Sequence, residues 1–378
     1  MIIYLFIAVS IIWYIIAILF LIGKLRTKTI SSLSITEENL PKLSIVIAAK
    51  DEEKEIESSL KSILTQNYQN LEIIVVNDRS TDLTGSILEM LQKEFSNLKV
   101  ETITQLPQNW LGKNHALWNG ANKATGDYIL FTDADVKYSK NCLRKVSSDV
   151  HANKIEFASC FPDFISNGFW ESVFNLNFAI LLSLRIKFWS VSNPNSSSFC
   201  GIGAFNLVKR ESYFKMGGHA KLPLEVADDM VLAKLMKQSG AKSVLYSGKN
   251  ELSVKWQSGG LKSVIKGIEK NAFSGFNYSW IKLIFQMTNL LIVSCIPFAA
   301  FLIDWKLGIF SILPIYFIYQ INKHFQNNSV FYFLTFPIGA LLLTYASVRS
   351  ALIITLNGSV NWRDTKYSSE LLKKESKF

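Results

Sequence analysis

Residues 2–22 form an apolar run that contains neither a charge nor a proline. An α-helix of about 20 such residues is long enough to cross the hydrocarbon core of a bilayer. Lys24, Arg26 and Lys28 follow the run at once, whereas a cleaved signal peptide carries its positive charge before the run and a small-residue cleavage site after it. We therefore expect a retained transmembrane anchor at residues 1–23, with the following domain on the cytoplasmic side, which positive charge favours.

The C-terminal part of the chain holds the other long apolar runs. Residues 283–303 and 330–354 are each long enough to cross a bilayer. Residues 307–321 are shorter and contain a proline, so they could re-enter the membrane or cross it as a tilted short span. Three crossings would put the basic tail, residues 357–378, outside, whereas two crossings plus a re-entrant piece would keep it inside. We favour the even count for this transmembrane region, residues 281–356, and expect a multi-pass membrane protein.

Charge and cysteine content exclude several classes of protein. The formal net charge is +10, yet no base-reading motif accompanies it. With 49% hydrophobic residues, the basic side chains are better explained as cytoplasmic charges that face anionic lipid. We therefore expect membrane lipid, and no nucleic acid, as a partner. The four cysteines form no CxxC pair and no zinc spacing, which argues against a disulfide scaffold and indicates a reducing compartment.

Between the apolar ends, residues 41–275 alternate between strand and helix patterns. Buried-strand runs occupy 43–49, 71–76, 99–103 and 128–132, and helical spacing is found within 50–66, 82–95 and 113–123. This alternation predicts an α/β fold with a Rossmann-like, mainly parallel sheet and helices on both faces. In sheets of this kind, ligands bind beyond the carboxyl ends of the strands.

Two further segments are amphipathic. Residues 168–190 are rich in aromatic side chains but carry charges, which favours an interfacial or buried helix over a crossing one. Residues 261–272 place apolar side chains on one face and lysines on another. That pattern fits either a domain helix with a solvated lysine face or a helix that lies among the lipid headgroups.

Carboxylates stand at the carboxyl ends of two predicted strands. Asp78 follows the strand at 71–76, and Asp133 and Asp135 follow the strand at 128–132. Because residues i and i+2 of a strand project to the same side, Asp133 and Asp135 can face one ligand. A magnesium or manganese ion bound to a diphosphate takes one or two carboxylates together with phosphate oxygens. An ordinary turn after a strand has the same appearance, but we expect the three acids to converge on one site.

Four residues could serve such a site, and three of them, Lys113, Asp228 and Asp229, also have a plain structural explanation. Asp78 could accept a hydrogen bond from the N–H of a uracil-like base. Lys113, near a predicted helix start, could reach a phosphate, since cation and helix N-terminus both favour anions, or it could be a surface lysine. Asp228 and Asp229 open a predicted helix as cap residues, or one of them could be a general base that takes a hydroxyl proton.

Six segments, taken in order, resemble the family 2 glycosyltransferases of GT-A fold. The resemblance runs from about Leu43 to Asn271. The segments are VIAAKDEEKEI, VVNDRSTDLTG, NWLGKNHALWNG, ATGDYILFTDADV, GAFNLVKRESYFKMGGH and ADDMVLA. The WLGK and NDRSTD strings and the N-terminal anchor resemble the membrane-bound members associated with hopanoid and carotenoid biosynthesis, including glucosyltransferases that act on carotenoid acids. The late string NWRDTKY, residues 361–367, resembles a segment that follows the last span in that group.

The resemblance implies a role for individual residues in these segments. The implied positions are Ala49 and Glu53 at the nucleotide pocket, Asp78 at the base, Lys113 by the diphosphate, Asp133 and Asp135 at the metal-bound donor, and Asp229 as the base of the reaction. The implied cofactor is Mg²⁺ or Mn²⁺.

The sequence departs from the family pattern in three places. The usual Glu-Asp pair is Asp228-Asp229 here, which leaves open which of the two is the base. Arg79 stands where a glycine commonly follows the base-binding aspartate. The QxxRW-type motif of processive polysaccharide synthases has its nearest counterpart in residues 252–256, which lack both the Gln and the Arg. The last difference argues for a single transfer rather than chain elongation.

The resemblance implies inverting transfer of one sugar from a nucleotide-diphosphate sugar to a lipophilic acceptor with a hydroxyl or carboxyl group. With Asp78 at the base, we expect a UDP-sugar as donor. Transfer to a polyprenyl phosphate is an alternative that would need no general base, because a phosphate is already a nucleophile. A non-catalytic membrane scaffold is a second alternative, and it predicts loss of the acidic residues, all of which are present.

Overall fold

The computed structural model describes residues 2–35, 39–255, 259–269, 272–362 and 365–376. Within those residues, strands form an eight-stranded sheet, a three-stranded sheet and a C-terminal hairpin. The strands are β1 Lys28–Thr29, β2 Leu43–Ala49, β3 Leu71–Asp78, β4 Leu98–Ile103, β5 Tyr128–Thr132, β6 Val136–Tyr138, β7 Phe157–Phe161, β8 Asp163–Phe164, β9 Asn206–Lys209, β10 Ser243–Ser247, β11 Leu252–Val254, β12 Ser359–Trp362 and β13 Thr365–Ser368.

The eight-stranded sheet is mainly parallel, as predicted. Its order is β1-β10-β7-β9-β5-β2-β3-β4, and β9 alone among the described strands runs antiparallel to both of its neighbours, β5 and β7. The small sheet has the order β6-β11-β8, and β12 pairs with β13 as the hairpin. The parallel half, β5-β2-β3-β4, brings the carboxyl ends of four strands to one edge.

Helices cover both faces of the large sheet. The helices of the described residues, on the sheet and elsewhere, are α1 Ile2–Arg26, α2 Ile56–Leu64, α3 Thr84–Glu94, α4 Gly112–Lys123, α5 Cys142–Ala152, α6 Phe169–Ile186, α7 Arg210–Lys215, α8 Asp228–Gln238, α9 Gly260–Glu269, α10 Trp280–Ala299, α11 Trp305–Asn322, α12 Phe336–Asn357 and α13 Ser369–Glu375. We call β1 to β11 and the helices between them the α/β domain.

Alternate side chains of the central strands pack into two separate cores. Ile45 and Ile47 of β2 lie in the cluster that includes the buried face of α2, whereas Val46 lies in the cluster that includes α4 and α8. This two-sided burial explains why the central strands are continuously apolar instead of alternating with polar residues. The strands and helices predicted between residues 43 and 132 are confirmed, with boundaries within two residues except at α2, which occupies only Ile56–Leu64 of the predicted 50–66.

Three described helical segments are long and apolar enough to cross a membrane: Ile3–Arg26, Trp280–Leu302 and Val330–Asn357. They correspond to the predicted anchor and to the two longer C-terminal runs. The segment at 307–321 lies within α11, a continuous helix of 18 residues beside α1. The hydroxyl of Ser10 donates to the hydroxyl of Ser311 (2.7 Å), and the hydroxyl of Tyr14 donates to the carbonyl of Phe310 (3.1 Å), so two hydrogen bonds join these helices.

The amphipathic segments are helices packed against the α/β domain and α12. The predicted helix at 168–190 is α6, most of which is buried. The predicted helix at 261–272 is α9, and its expected continuation through 270–271 lies outside the described residues. Trp256 of the QxxRW-like string and the central residues of NWRDTKY, 363–364, also lie outside them.

The contacts of helix ends show how the C-terminal helices run relative to the α/β domain. α10 begins beside it, since Leu283 packs with Leu224 and Val226 in one cluster. The chain just after α11 is again attached to the domain, because Gln326 donates to the Pro162 carbonyl (2.7 Å) and accepts from the Phe164 amide (2.9 Å). α10 therefore leads away from the domain and α11 leads back to it.

A substitution at Gln326 tests this attachment. We expect Gln326→Leu to lower the unfolding temperature of the detergent-solubilised protein, because the buried Pro162 carbonyl and Phe164 amide would lose their partner, at a cost of about 1–3 kcal/mol. Gln92→Leu, on the exposed face of α3, is the matched control and should leave that temperature nearly unchanged. Equal unfolding temperatures for the two variants would show that the bonds of Gln326 do not hold this segment in place.

Candidate active site

An acidic cluster surrounds one lysine at the carboxyl edge of the sheet. Lys113, in the first turn of α4, places its ammonium nitrogen 2.9 Å from Oδ1 of Asp133 and 3.6 Å from Oδ1 of Asp228. Asp133 follows β5, and Asp228 and Asp229 open α8. Residues from three distant parts of the chain thus meet here, which brings together the predicted diphosphate lysine and the predicted general-base pair.

The protonation of the cluster follows from burial and mutual repulsion. Burial alone would lower the pKa of Lys113, but the surrounding carboxylates raise it above its usual range, so the lysine is a permanent cation. Burial and the charge of Asp228 raise the pKa of Asp229 to about 7, against the opposing effect of Lys113. Burial also raises the pKa of Asp228, although Lys113 lies beside it. Asp229 can therefore exchange a proton near neutral pH.

Asp135 adds a fourth carboxylate to this edge. Burial, then the charges of Asp133 and Glu52, raise the pKa of Asp135 to about 7. The carboxylates outnumber the single lysine, so the cluster favours an additional cation. Among the described residues, no three His, Cys, Asp or Glu side chains are grouped as a complete metal site. Asp133 and Asp135 fit a divalent ion that takes its remaining oxygen ligands from a bound diphosphate and water.

Gly203 separates the carboxylates of Asp133 and Asp229. Its amide donates to Oδ2 of Asp229 (2.8 Å), and its carbonyl accepts from the amide of Asp133 (3.1 Å). A Cβ atom at this position would lie 2.5 Å from Oδ2 of Asp133. Only a residue without a side chain leaves both acids where they are. Gly203 belongs to none of the predicted site residues, although the string Gly201-Ile202-Gly203 just before a strand is a signal for close backbone approach.

His219 was also missed, and it lines the same narrow space as Lys113, Asp133 and the Asp228-Asp229 pair. It is buried, and its Nδ1 is 2.8 Å from the hydroxyl of Tyr213. Burial and the charge of Lys113 lower the pKa of His219 to about 3, so the ring is neutral at physiological pH. The sequence does not point to His219, because its contact with Tyr213 depends on how α7 packs against the turn that follows it.

Asp78 lies on the other side of Lys113 and already has a partner. Nε and Nη2 of Arg79 donate to its two carboxylate oxygens at 2.7 and 3.0 Å. Arg79 adopts a left-handed backbone conformation (φ 55°), which turns its side chain back onto Asp78. A Cβ atom on Gly112 would lie 2.3 Å from Oδ2 of Asp78. Asp78 therefore lies against Gly112, the residue that precedes Lys113. It is next to the acidic cluster and not within it.

A cavity of about 680 Å³ opens next to Arg79. It is lined by Arg79, Thr104, Gln105, Leu106, Pro107, Gln108, Asn109, Trp110, Thr365, Lys366 and Tyr367. The structure does not bring Ala49 or Glu53 into this lining. The side chain of Ala49 is fully buried at the end of β2, and the carboxylate of Glu53 accepts from the amide of Leu83 at the start of α3.

Residues 44–216 match the family model described as Glycosyl transferase family 2. The 4,4'-diaponeurosporenoate glycosyltransferase of Staphylococcus aureus (strain N315) is 26% identical over 258 residues, which are 67% of this chain and 64% of that protein. The protein of the same name from strain USA300 is 26% identical over 239 residues, 62% and 61% of the two chains. The chain thus matches just under two thirds of the length of these relatives.

The fold is that of the GT-A glycosyltransferases, as the resemblance implied. The mannosyltransferase PcManGT from Pyrobaculum calidifontis, solved in complex with GDP-Man and Mn²⁺, superimposes with a TM-score of 0.53. The superposition covers 91% of this chain and 95% of that one at 15% sequence identity. Such a low identity supports the fold alone.

Gly203 provides a direct test of the acidic cluster. Gly203→Ala would push a methyl group against Asp133, and we expect the affinity for Mn²⁺ in the presence of UDP to fall by about 10- to 100-fold, as when residues behind a metal ligand are altered. Electron paramagnetic resonance of free Mn²⁺ measures this affinity. Gly275→Ala, whose new methyl group would have no heavy atom closer than 3.9 Å, is the control. Unchanged Mn²⁺ affinity in Gly203→Ala would contradict the role of Gly203.

Proposed function

Residues 44–216 form a family 2 glycosyl transferase domain, and from this premise we propose that the protein transfers one sugar from a nucleotide-diphosphate sugar to a lipophilic acceptor at a membrane. One observation carries the proposal. Lys113 pairs with Asp133, which follows β5, and with Asp228, which opens α8 next to Asp229. The donor-side acid and the segment that carries the acceptor-side acid are thereby brought to one lysine.

On the donor side, Lys113 and the pair Asp133 and Asp135 act on the diphosphate. The two carboxylates would hold Mg²⁺ or Mn²⁺, and a bound ion supplies neutralisation of the charge that develops on the leaving nucleotide diphosphate. Lys113 offers a permanent positive charge at the start of α4, where the backbone amides also favour an anion. The Asp78–Arg79 pair lies where the nucleoside part of the donor would extend. A UDP-sugar is the expected donor.

On the acceptor side, Asp229 is the general base. A pKa of about 7 lets it take a proton from a hydroxyl group and release it again at neutral pH. Asp228 is engaged by Lys113, whereas Asp229 is held by the amide of Gly203. The acceptor oxygen would attack the anomeric carbon on the face opposite the departing nucleotide, with inversion. Separate carboxylates for the two faces of the sugar suit that geometry.

The acceptor class follows from the surroundings of the domain and from its relatives. Exposed apolar side chains such as Ile15, Ile18, Ile281 and Phe285 cover the long helices next to the α/β domain. These surfaces suit lipid and would place the site at the bilayer surface, where such an acceptor resides. The relatives named as diaponeurosporenoate glycosyltransferases support an acceptor that is a long apolar acid or alcohol.

We further propose that the domain lies on the cytoplasmic side of a multi-pass membrane protein. Lys24 and Arg26 end α1 next to the domain, in agreement with the preference of positive charge for that side. α10 leads away from the domain, and α11, about 27 Å long, returns to it. The segment 330–357 begins and ends near the domain. These contacts support α10 and α11 as a crossing pair, with the tail kept inside.

The class of reaction is tested with the full chain in nanodiscs. A panel of nucleotide sugars, a total lipid extract and Mn²⁺ or Mg²⁺ are supplied, and labelled lipid is measured. We expect transfer that requires the metal and that is lost in Asp135→Ala, because one carboxylate at the metal-bound donor is removed. Glu211→Ala, which removes a carboxylate whose side chain is 78% exposed, should retain full activity. No turnover and no binding of a nucleoside diphosphate by the wild type would refute the proposal.

Asp229→Asn reports which nucleophile the acceptor offers. For a hydroxyl acceptor we expect kcat to fall by about 10²- to 10⁴-fold while donor binding persists. The base must be ionised and its pKa is raised to about 7, so the wild-type rate should increase as the pH rises through 7, and the variant should lack this increase. A carboxylate or polyprenyl-phosphate acceptor is already ionised, so near-wild-type activity of the variant would exclude the hydroxyl acceptor.

A further inference from the structure

The C-terminal hairpin β12–β13 forms one wall of the cavity beside Arg79, although the rest of the lining comes from residues more than 250 positions earlier. Thr365, Lys366 and Tyr367 supply this wall. We propose that the hairpin is part of the donor site, with Lys366 and Tyr367 as nucleoside-contacting residues that determine donor affinity. This inference rests on the proposed function, because it assumes that the acidic cluster holds the donor diphosphate.

The hairpin is firmly seated on the α/β domain. The hydroxyl of Tyr367 donates to the carbonyl of Trp110 (3.1 Å), and the side chain of Tyr367 is 8% exposed. Val360, Tyr367 and Leu372 belong to one buried cluster with Leu111, the residue just before α4. The wall is therefore fixed relative to the start of α4, where Lys113 lies.

The position of the cavity matches the nucleoside end of a donor. Asp133 and Asp135 follow β5, whereas Arg79 follows β3, which is separated from β5 by β2 alone. Neighbouring strands are about 4.8 Å apart, so the two sites are about 10 Å apart across the sheet. A nucleoside extends about this far from its diphosphate. The loop after β4, residues 104–110, forms the far wall on the same side of the sheet.

The chemistry of the cavity suits a base and a ribose. Its volume of about 680 Å³ lies in the range of small-molecule sites. Trp110 and Tyr367 bring two aromatic rings to the lining, and such rings stack on nucleobases. Arg79 lines the cavity, and two hydrogen bonds to the carboxylate of Asp78 hold its guanidinium group there. The exposed side chain of Lys366 adds hydrogen-bond donors at the rim, which suit the carbonyl oxygen of a base or a hydroxyl oxygen of the ribose.

The hairpin is also joined closely to the helix that precedes it. α12 ends at Asn357, and the hairpin begins two residues later, after Gly358 in a left-handed conformation (φ 60°). α12 itself packs along α10 and contacts α6 and α9. The hairpin wall is therefore attached both to the α/β domain and to the C-terminal helices.

Calorimetry on the full chain in nanodiscs with Mn²⁺ tests the inference, with UDP, GDP and inorganic pyrophosphate as probes. We expect Lys366→Ala to weaken the better-bound nucleoside diphosphate by roughly ten-fold, as for loss of one charged contact, and to leave pyrophosphate binding unchanged. Lys373→Ala removes an equally exposed lysine from α13, outside the cavity, and should change neither. Tyr367→Ala should likewise weaken the binding of the nucleoside diphosphate and leave pyrophosphate binding unchanged. Tyr367→Phe should retain most of the affinity, because the stacking ring remains.

The outcomes separate this inference from the proposed function. Wild-type affinity for UDP and GDP in both Lys366→Ala and Tyr367→Ala would overturn the inference and leave the function intact. An equal loss of pyrophosphate affinity would also overturn it, because the hairpin would then act on the phosphates or on the fold. A wild type that binds none of the three probes would refute the proposed function itself. In transfer assays, the donor KM should rise in Lys366→Ala while the acceptor KM stays constant.

Discussion

Electrostatic attraction between one lysine and several carboxylates holds the candidate site together. Lys113 begins a helix that follows β4, Asp133 ends β5, and Asp228 and Asp229 begin a helix almost 100 residues later. Without the lysine, these buried acids would repel one another at the edge of the sheet, and burial would further oppose their ionisation. The same arrangement leaves negative charge in excess, so a divalent cation would lower the repulsion between the acids and offset the charge of a bound diphosphate.

The sequence was sufficient for β2, β3, β4 and β5 of the large sheet, and it pointed to the acids at the ends of these strands, because both leave local signals. Continuous apolar runs identify buried parallel strands, and the carboxyl ends of those strands are where Asp78, Asp133 and Asp135 stand. The position of β9 could not be predicted, since it pairs with β5 and β7 across long sequence distances. Its antiparallel insertion is decided by tertiary packing, which a single-sequence pattern does not contain.

The site residues that sequence reasoning missed are those whose role depends on another part of the chain. Gly203 matters because two acids approach it from opposite sides, and His219 matters because Tyr213 and Lys113 lie beside it. Arg79 stood out in the sequence only as a departure from a family pattern. Its hydrogen bond to the adjacent Asp78 requires a left-handed backbone conformation, which the sequence does not predict. The roles of Ala49 and Glu53 stay predictions, because the one is buried and the other caps a helix.

The wall that Thr365 to Tyr367 contribute to the cavity also affects the order of events during synthesis. The α/β domain can form its sheet as soon as β11 has left the ribosome, since all strands of that sheet lie before residue 255. The cavity beside Arg79 remains open on one side until α10, α11 and α12 have followed and the hairpin has docked on Trp110. A nascent chain is thus folded long before it has a complete pocket. The cavity is completed only when the membrane region is complete. A chain that stalls during membrane insertion therefore has the acidic cluster but lacks the hairpin wall of the cavity beside Arg79.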